Sequence, residues 1–264
     1  MSDPIRVRAS GLGELFDCAH RWEGKHLLNL GDATSSAAYL GTAIHASTAL
    51  FDRSRVEKIG LTVSDCASEI VRLIREPTEN VLWDQNKNQL EMIGLQVHTK
   101  YCTEYAPKQD YVSVEMQLEP MDINVDGVTV QLTGTMDRAR VSRSGGFGIK
   151  DLKTGVRAVD GDGKAVTKGH KAQLGVYEIL FEHTTGQKIE APGQIVGLKT
   201  SGQFEIGTGD VPEARRIVVG WPDQPGLLEM GAKLLKEGNF PPNPRSQLCS
   251  PKFCPRWTSC KFHD

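Results

Sequence analysis

Two short stretches decide the fold: Gly134-Thr135-Met136-Asp137-Arg138-Ala139, and Ile149-Lys150-Asp151-Leu152-Lys153-Thr154-Gly155. Each places an aspartate in a run that reads as a strand, and the second aspartate follows the first by fourteen residues. Strand side chains alternate between faces, so Asp151 and Lys153 share one face while Leu152 points into the core and leaves its carbonyl near the same site. With the two runs on adjacent strands, Asp137 and Asp151 face one cleft. Two carboxylates, a carbonyl and an ammonium then converge, a set that suits Mg²⁺ or Mn²⁺ and a phosphate acquiring charge. Taken alone, Asp-x-Lys on a strand is most often a solvated edge or a cross-strand ion pair.

Working outward, Val112, Val114, Met116 and Leu118 alternate with polar residues, the period of a strand. Asp126-Gly127 reads as a hairpin turn between strands 121–125 and 128–142, and Arg143-Ser144-Gly145-Gly146 as a second turn into strand 147–153. Three consecutive antiparallel strands are expected. Upstream, helical spacing runs from Leu12 to Leu28 and from Ser36 to Phe51 with a break at Gly31-Asp32, then from an N-cap at Ser64 to Arg75, and from Asn88 to Tyr105. Downstream, a helix is expected over 169–183, strands near 193–200, 203–207 and 215–221, and a last helix over 223–237. The chain thus divides into a helical part (1–107) carrying Cys18 and His45, a core (108–238) and a cysteine-rich tail (239–264).

The 264 residues are 39% hydrophobic and 24% charged, enough for a buried core and too apolar for a disordered chain. No apolar run approaches the roughly 20 residues of a membrane helix, and Met1-Ser2-Asp3-Pro4-Ile5-Arg6 lacks the apolar centre of a signal peptide. A cytoplasmic protein without a membrane partner is expected. The net charge of −2 provides no general attraction for nucleic acid, so any such binding needs a local basic groove. Arg21, Trp22 and Lys25 are candidates for strand contacts, with Trp22 equally suited to the core.

Three further residues stand in a fixed order around the aspartates. His45 lies in the helical Gly41-Thr42-Ala43-Ile44-His45-Ala46, and Gln173 and Tyr177 are four apart on one helical face. A histidine between Ile44 and Ala46 would otherwise be read as filling a helix interface. Together these motifs resemble the PD-(D/E)XK nuclease superfamily, in its RecB-like branch of phage exonucleases and CRISPR-associated nucleases. The resemblance spans residues 12–263. It implies an α/β restriction-endonuclease-like core, a central mixed sheet flanked by helices, with a helical N-terminal part and a metal-pinned tail. It also implies that His45, Asp137 and Asp151, with the Leu152 carbonyl, hold Mg²⁺ or Mn²⁺, that Lys153 positions the attacking water, and that Gln173 and Tyr177 organise the site or contact DNA. Met136 stands where the family's leading proline would be. Glu115 is read as an outward glutamate on an edge strand, with an indirect role at the metal as the lesser alternative.

Six cysteines in a reducing compartment suggest metal binding rather than disulfides. Cys66 and Cys102 are isolated within helix-like stretches and read as buried fillers. Cys249, Cys254 and Cys260 fall within twelve residues of a proline-rich tail and need a fourth ligand. With Cys18 as that ligand, the set resembles the four-cysteine iron–sulfur staple of RecB-like nucleases, which implies a [4Fe–4S] cluster. With His263 instead, it is a local Cys₃His zinc site of the kind that binds RNA.

The leading functional expectation is a metal-dependent exonuclease acting on single-stranded DNA or duplex ends in recombination, replication or CRISPR-linked processing, in a bacterial or phage-infected cell. A catalytically silent DNA-binding or partner-docking module has no need of Asp137, Asp151 and Lys153. An RNA-binding zinc protein leaves the strand motifs unexplained. The chain lacks Gly-x-x-x-x-Gly-Lys-Ser/Thr, so unwinding would need a helicase partner, and a recombination or CRISPR adaptation partner is equally compatible.

Overall fold

The computed structural model describes residues 4–31, 34–142 and 145–263. Asp32 of the expected break, and Arg143 and Ser144 of the expected second turn, lie outside the described residues, as do Met1, Ser2 and Asp3. In chain order the elements are β1 (Ile5–Arg8), α1 (Ala9–Asp17), α2 (Ala19–His26), β2 (Thr34–Ser35), α3 (Ser36–Val56), α4 (Val63–Arg75), β3 (Val81–Leu82) and α5 (Lys87–Lys100). There follow β4 (Tyr111–Val125), β5 (Val128–Val141), β6 (Phe147–Gly155), α6 (Lys171–Thr185), β7 (Gly193–Lys199), β8 (Ile206–Val211), α7 (Ala214–Val219), β9 (Gly220–Trp221), β10 (Gln224–Pro225) and α8 (Leu227–Glu237).

Six strands form one mixed sheet in the order β1-β5-β6-β7-β8, with β4 also paired to β5. The β4, β5 and β6 strands are consecutive and antiparallel, as their turns predict. The β6 and β7 strands are parallel, which requires a crossover, and α6 supplies it. Both faces of the sheet are covered. One packs Ile149 and Ile195 against α1, α6 and α8, and the other packs Leu152 and Val196 against α3, α4 and α5. Neighbouring residues Ile195 and Val196 thus enter different cores, as strand alternation demands.

The structure corrects several local expectations. The single helix over 12–28 is two, broken at Cys18, whose backbone is extended at φ −150° and ψ 100°. Thr62, not Ser64, caps α4: its hydroxyl accepts from the Asp65 N–H while the Asp65 carboxylate accepts from the Thr62 N–H. Strands 112–118 and 121–125 are one strand with a register shift between Leu118 and Met121. The expected strand near 203–207 is β8, and the one over 215–221 is mostly the helix α7. The run Ile217-Val218-Val219 has strand propensity, but Ala214 and Val218 are buried in the core, and tertiary packing prevails. The strand β1 lies in a stretch read as having no element and pairs in parallel with residues 130–133 of β5.

This last pairing creates the site. The same edge of β5 is taken by β1 over 130–133 and by β6 over 138–141, so Gly134–Asp137 lies in the fork between them.

Candidate active site

At the fork, β6 leaves β5 just beyond the Arg138–Lys150 pair, and the ladder does not extend to Asp137 and Asp151. The Leu152 N–H donates to Asp137 Oδ2 at 2.7 Å, which fixes that carboxylate across the gap. The helix α3, capped by Ser35 through the Ala38 N–H, brings His45 to the same place, and His45 Nδ1 lies 3.6 Å from Asp137 Oδ2. Gly41 allows the close approach of α3 to β6, since a Cβ there would come within 2.5 Å of Thr154 Oγ1.

Glu115 completes the cluster, which corrects its reading as an outward edge residue. Its backbone is left-handed at φ +49°, an uncommon state for glutamate, and this interrupts the alternation on which the outward reading rests. Among the described residues, His45, Glu115 and Asp137 are a group whose ligand atoms all lie within 4.8 Å of one another. An imidazole and two carboxylates form a donor set suited to a divalent cation. Burial, followed by the charge of Asp137, pushes the Glu115 carboxyl up, while Arg138 opposes the shift. Burial pushes His45 down, to the neutral form that a ligand requires, although Asp137 counteracts it.

Asp151 is 1% exposed, and burial raises its pKa against the pull of Lys153. The Lys153 ammonium forms an ion pair with Asp151 Oδ2 at 2.7 Å. Lys153 donates to Gln173 Oε1 at 2.9 Å, and Gln173 Nε2 donates to Asp151 Oδ1 at 3.2 Å and to the Tyr177 hydroxyl at 3.0 Å. The Gln173 amide therefore connects all three. Burial raises the Tyr177 pKa, so its phenol is neutral. Gly134 is required here, because a Cβ would sit 2.8 Å from the Tyr177 ring. Lys150, the other lysine beside Asp151, points away and donates to Gln109 Oε1 at 2.6 Å and the Tyr105 hydroxyl at 3.0 Å. The site opens into a cleft of about 770 Å³ lined by His45, Glu115, Leu152, Lys153 and Arg53, among others.

Behind the carboxylates lies a buried network that the sequence reading did not include. Arg138, fully buried, donates to Asp52 Oδ2 at 2.8 Å, to Glu115 Oε1 at 3.1 Å and to the Asp137 carbonyl at 2.8 Å. The Tyr101 hydroxyl donates to the same Asp52 oxygen at 2.7 Å. The only signal in the sequence is the arginine adjoining Asp137, and it does not indicate Asp52. His98 is satisfied structurally, with Ser47 Oγ at 3.0 Å from Nδ1 and the Val63 carbonyl at 3.1 Å from Nε2.

The second predicted set also gathers. Cys18, Cys249, Cys254 and Cys260 line one small cavity, although Cys18 is more than two hundred residues from the others. The tail is tied to α1: the Asn243 N–H donates to Cys18 Sγ at 3.3 Å, and Ser246 Oγ donates to Asp17 Oδ2 at 2.6 Å. Arg21 lines the cavity and buries its Nε and Nη2 without a hydrogen-bond partner, although Glu14 lies 3.5 Å from Nη2. Such orphaned donors call for an acceptor. His263 stacks on Trp257 at 3.8 Å with Nε2 2.9 Å from the Trp257 carbonyl, and it does not line the cavity.

Residues 7–261 match the family model of the PD-(D/E)XK nuclease superfamily. No protein of curated function matches the chain in sequence. Among solved structures, an exonuclease candidate from Eubacterium rectale is similar at a TM-score of 0.55 and 17% identity, over 93% of this chain and 87% of that one. The crystal structure of SSO0001 gives a TM-score of 0.46 and 13% identity, over 99% of this chain and 88% of that one.

Proposed function

The chain belongs to the PD-(D/E)XK nuclease superfamily, and from that membership we propose that it is a Mg²⁺- or Mn²⁺-dependent exonuclease of the RecB-like type, hydrolysing phosphodiester bonds at DNA ends in recombination, replication or CRISPR-linked processing. The observation that carries this reading is the convergence of His45, Glu115 and Asp137 beside the Asp151–Lys153–Gln173 chain.

In this reading His45, Glu115, Asp137 and Asp151, with the Leu152 backbone, hold the cation. When bound, it supplies polarisation of a phosphate oxygen and a more acidic water. Lys153 can donate to a water or to a phosphate oxygen as charge develops, and its ammonium is held between Asp151 and the Gln173 amide oxygen. Tyr177 braces Gln173 from the far side. Arg138 anchors Glu115 and the Asp137 backbone, so the ligands do not have to be ordered when substrate arrives.

We assign Cys18, Cys249, Cys254 and Cys260 to a [4Fe–4S] cluster in preference to zinc. Their shared cavity, the orphaned Arg21 donors and the position of His263 support this.

The deciding experiment is digestion of end-labelled single-stranded and duplex DNA with Mg²⁺ or Mn²⁺ and an EDTA control. Cation-dependent loss of nucleotides from an end is expected. Absence of cutting with either ion, or cutting that persists in EDTA, overturns the reading.

A further inference from the structure

A trough of about 440 Å³ lies beside the catalytic cleft, and the two share Ala38 in the first turns of α3 as a lining residue. It is lined by Thr34 and Ser35, leading into α3, by Lys25 of α2, and by Lys252 and Phe253 of the tail. Its lining side chains include two exposed cations, Lys25 and Lys252, while the third, Arg21, is buried 3.5 Å from Glu14. Lys25 and Lys252 are each about half exposed and pair at the rim with Glu14 at 3.1 Å and Asp84 at 2.7 Å. Exposed pairs of this kind are worth only about 0–1 kcal/mol, which leaves both ammoniums free to turn towards a phosphate. Phe253 is 42% exposed, and the Lys252 ammonium stands 5.6 Å from its ring centre.

We propose that one strand of single-stranded DNA runs between the catalytic cleft and this trough, its phosphates beside Lys25 and Lys252 and a base stacked on Phe253. The proposal rests on the nuclease reading for the identity of the strand. Cations interleaved with an exposed aromatic face are the pattern of single-strand binding, because every base has a stacking face and a duplex conceals all but its terminal ones. The wall residues Lys252 and Phe253 fall between Cys249 and Cys254, so the cysteine-pinned tail also shapes the substrate path.

Fluorescence anisotropy tests this without cleavage, using a labelled oligothymidylate of about twenty nucleotides and a blunt duplex in EDTA. Phe253→Ala should weaken binding of the single strand about tenfold, while Phe253→Tyr, which keeps the ring, should retain wild-type affinity. Changing Lys25 and Lys252 together to Ala should flatten the slope of log K against log salt by about 1.4. Duplex affinity should not follow either change. Unchanged single-strand affinity in Phe253→Ala, an equal loss for duplex, or equal losses in Phe253→Ala and Phe253→Tyr overturns the trough. If the strand binds with the expected losses but no DNA is cut with Mg²⁺ or Mn²⁺, the trough stands and the nuclease reading falls. If DNA is cut and the variants bind as wild type, the reverse holds.

Discussion

Replacing Arg138 by methionine removes the guanidinium while nearly preserving side-chain length, and leaves Asp52 buried with the Tyr101 hydroxyl as its other donor at 2.7 Å. Both Arg138 and Asp52 are 0% exposed, so neither is rescued by water. Deleting one partner of a buried pair costs about 3–5 kcal/mol, chiefly because the other charge is stranded. That is a large fraction of a folding free energy of roughly 5–15 kcal/mol. Burial already raises the Asp52 pKa, with Arg138 the main opposing influence, so the substitution moves it further up. A carboxyl whose folded pKa exceeds its unfolded one is at its most stable below the unfolded pKa and loses stability as pH rises through the folded value. The deficit of Arg138→Met relative to wild type, measured by urea denaturation, should therefore be larger near pH 8 than near pH 5. Adding Asp52→Asn should recover part of it. A deficit below about 1 kcal/mol, equal deficits at both pH values, or no recovery in the double variant would refute the reasoning.

Four other outcomes are expected. Asp151→Asn or Lys153→Ala should lower DNA cleavage by about 10³-fold or more without altering circular dichroism; undiminished cutting by purified Lys153→Ala contradicts the assignment. Gln173→Ala and Tyr177→Phe should reduce kcat less than Asp151→Asn, since they brace the site without holding the cation; steady-state kinetics decide. Burial pushes Glu178 up from 4.5 to about 7, so it makes wild-type stability fall as pH rises through that window, and Glu178→Gln should lessen the slope, to which Glu115 and Asp151 also contribute, and gain up to ~3 kcal/mol at pH 8 in urea titrations. Anaerobically prepared protein should contain iron and sulfide, and Cys18→Ser should lose both with a lowered Tm; retention of metal in Cys18→Ser with loss in His263→Ala would favour the zinc site.

The aspartates were legible because strand alternation and their spacing need little tertiary context. Glu115 was not, since its position depends on a single left-handed residue that periodicity does not register. The four residues of β1 are too few for a periodic signal, and their pairing spans more than one hundred and twenty positions to β5. The break at Cys18 was masked by helical spacing that continues on both sides of it, though a cysteine held by the tail is a reason for the helix to stop there. Asp52 carries no local mark; only the folded chain shows that the arginine next to Asp137 reaches it. The trough is similar, because Lys25 and Phe253 are neighbours only after the tail returns.

That return has a kinetic side. The contacts of the tail with α1 and α2, from Asn243 to Cys18 and from Arg256 to Glu23, join positions 225 and 233 residues apart. Closing a loop of that length costs roughly 5 kcal/mol of chain entropy before any contact is rewarded. The α2 helix thus depends on contacts with residues more than two hundred positions away, and such distant pairings form late. Most of the sheet and the α3–α4–α5 layer can assemble before then, with β1 and α1 waiting at the edge of β5. Pulse-labelled hydrogen exchange during refolding should show amides of α2 gaining protection later than those of β5 and β6.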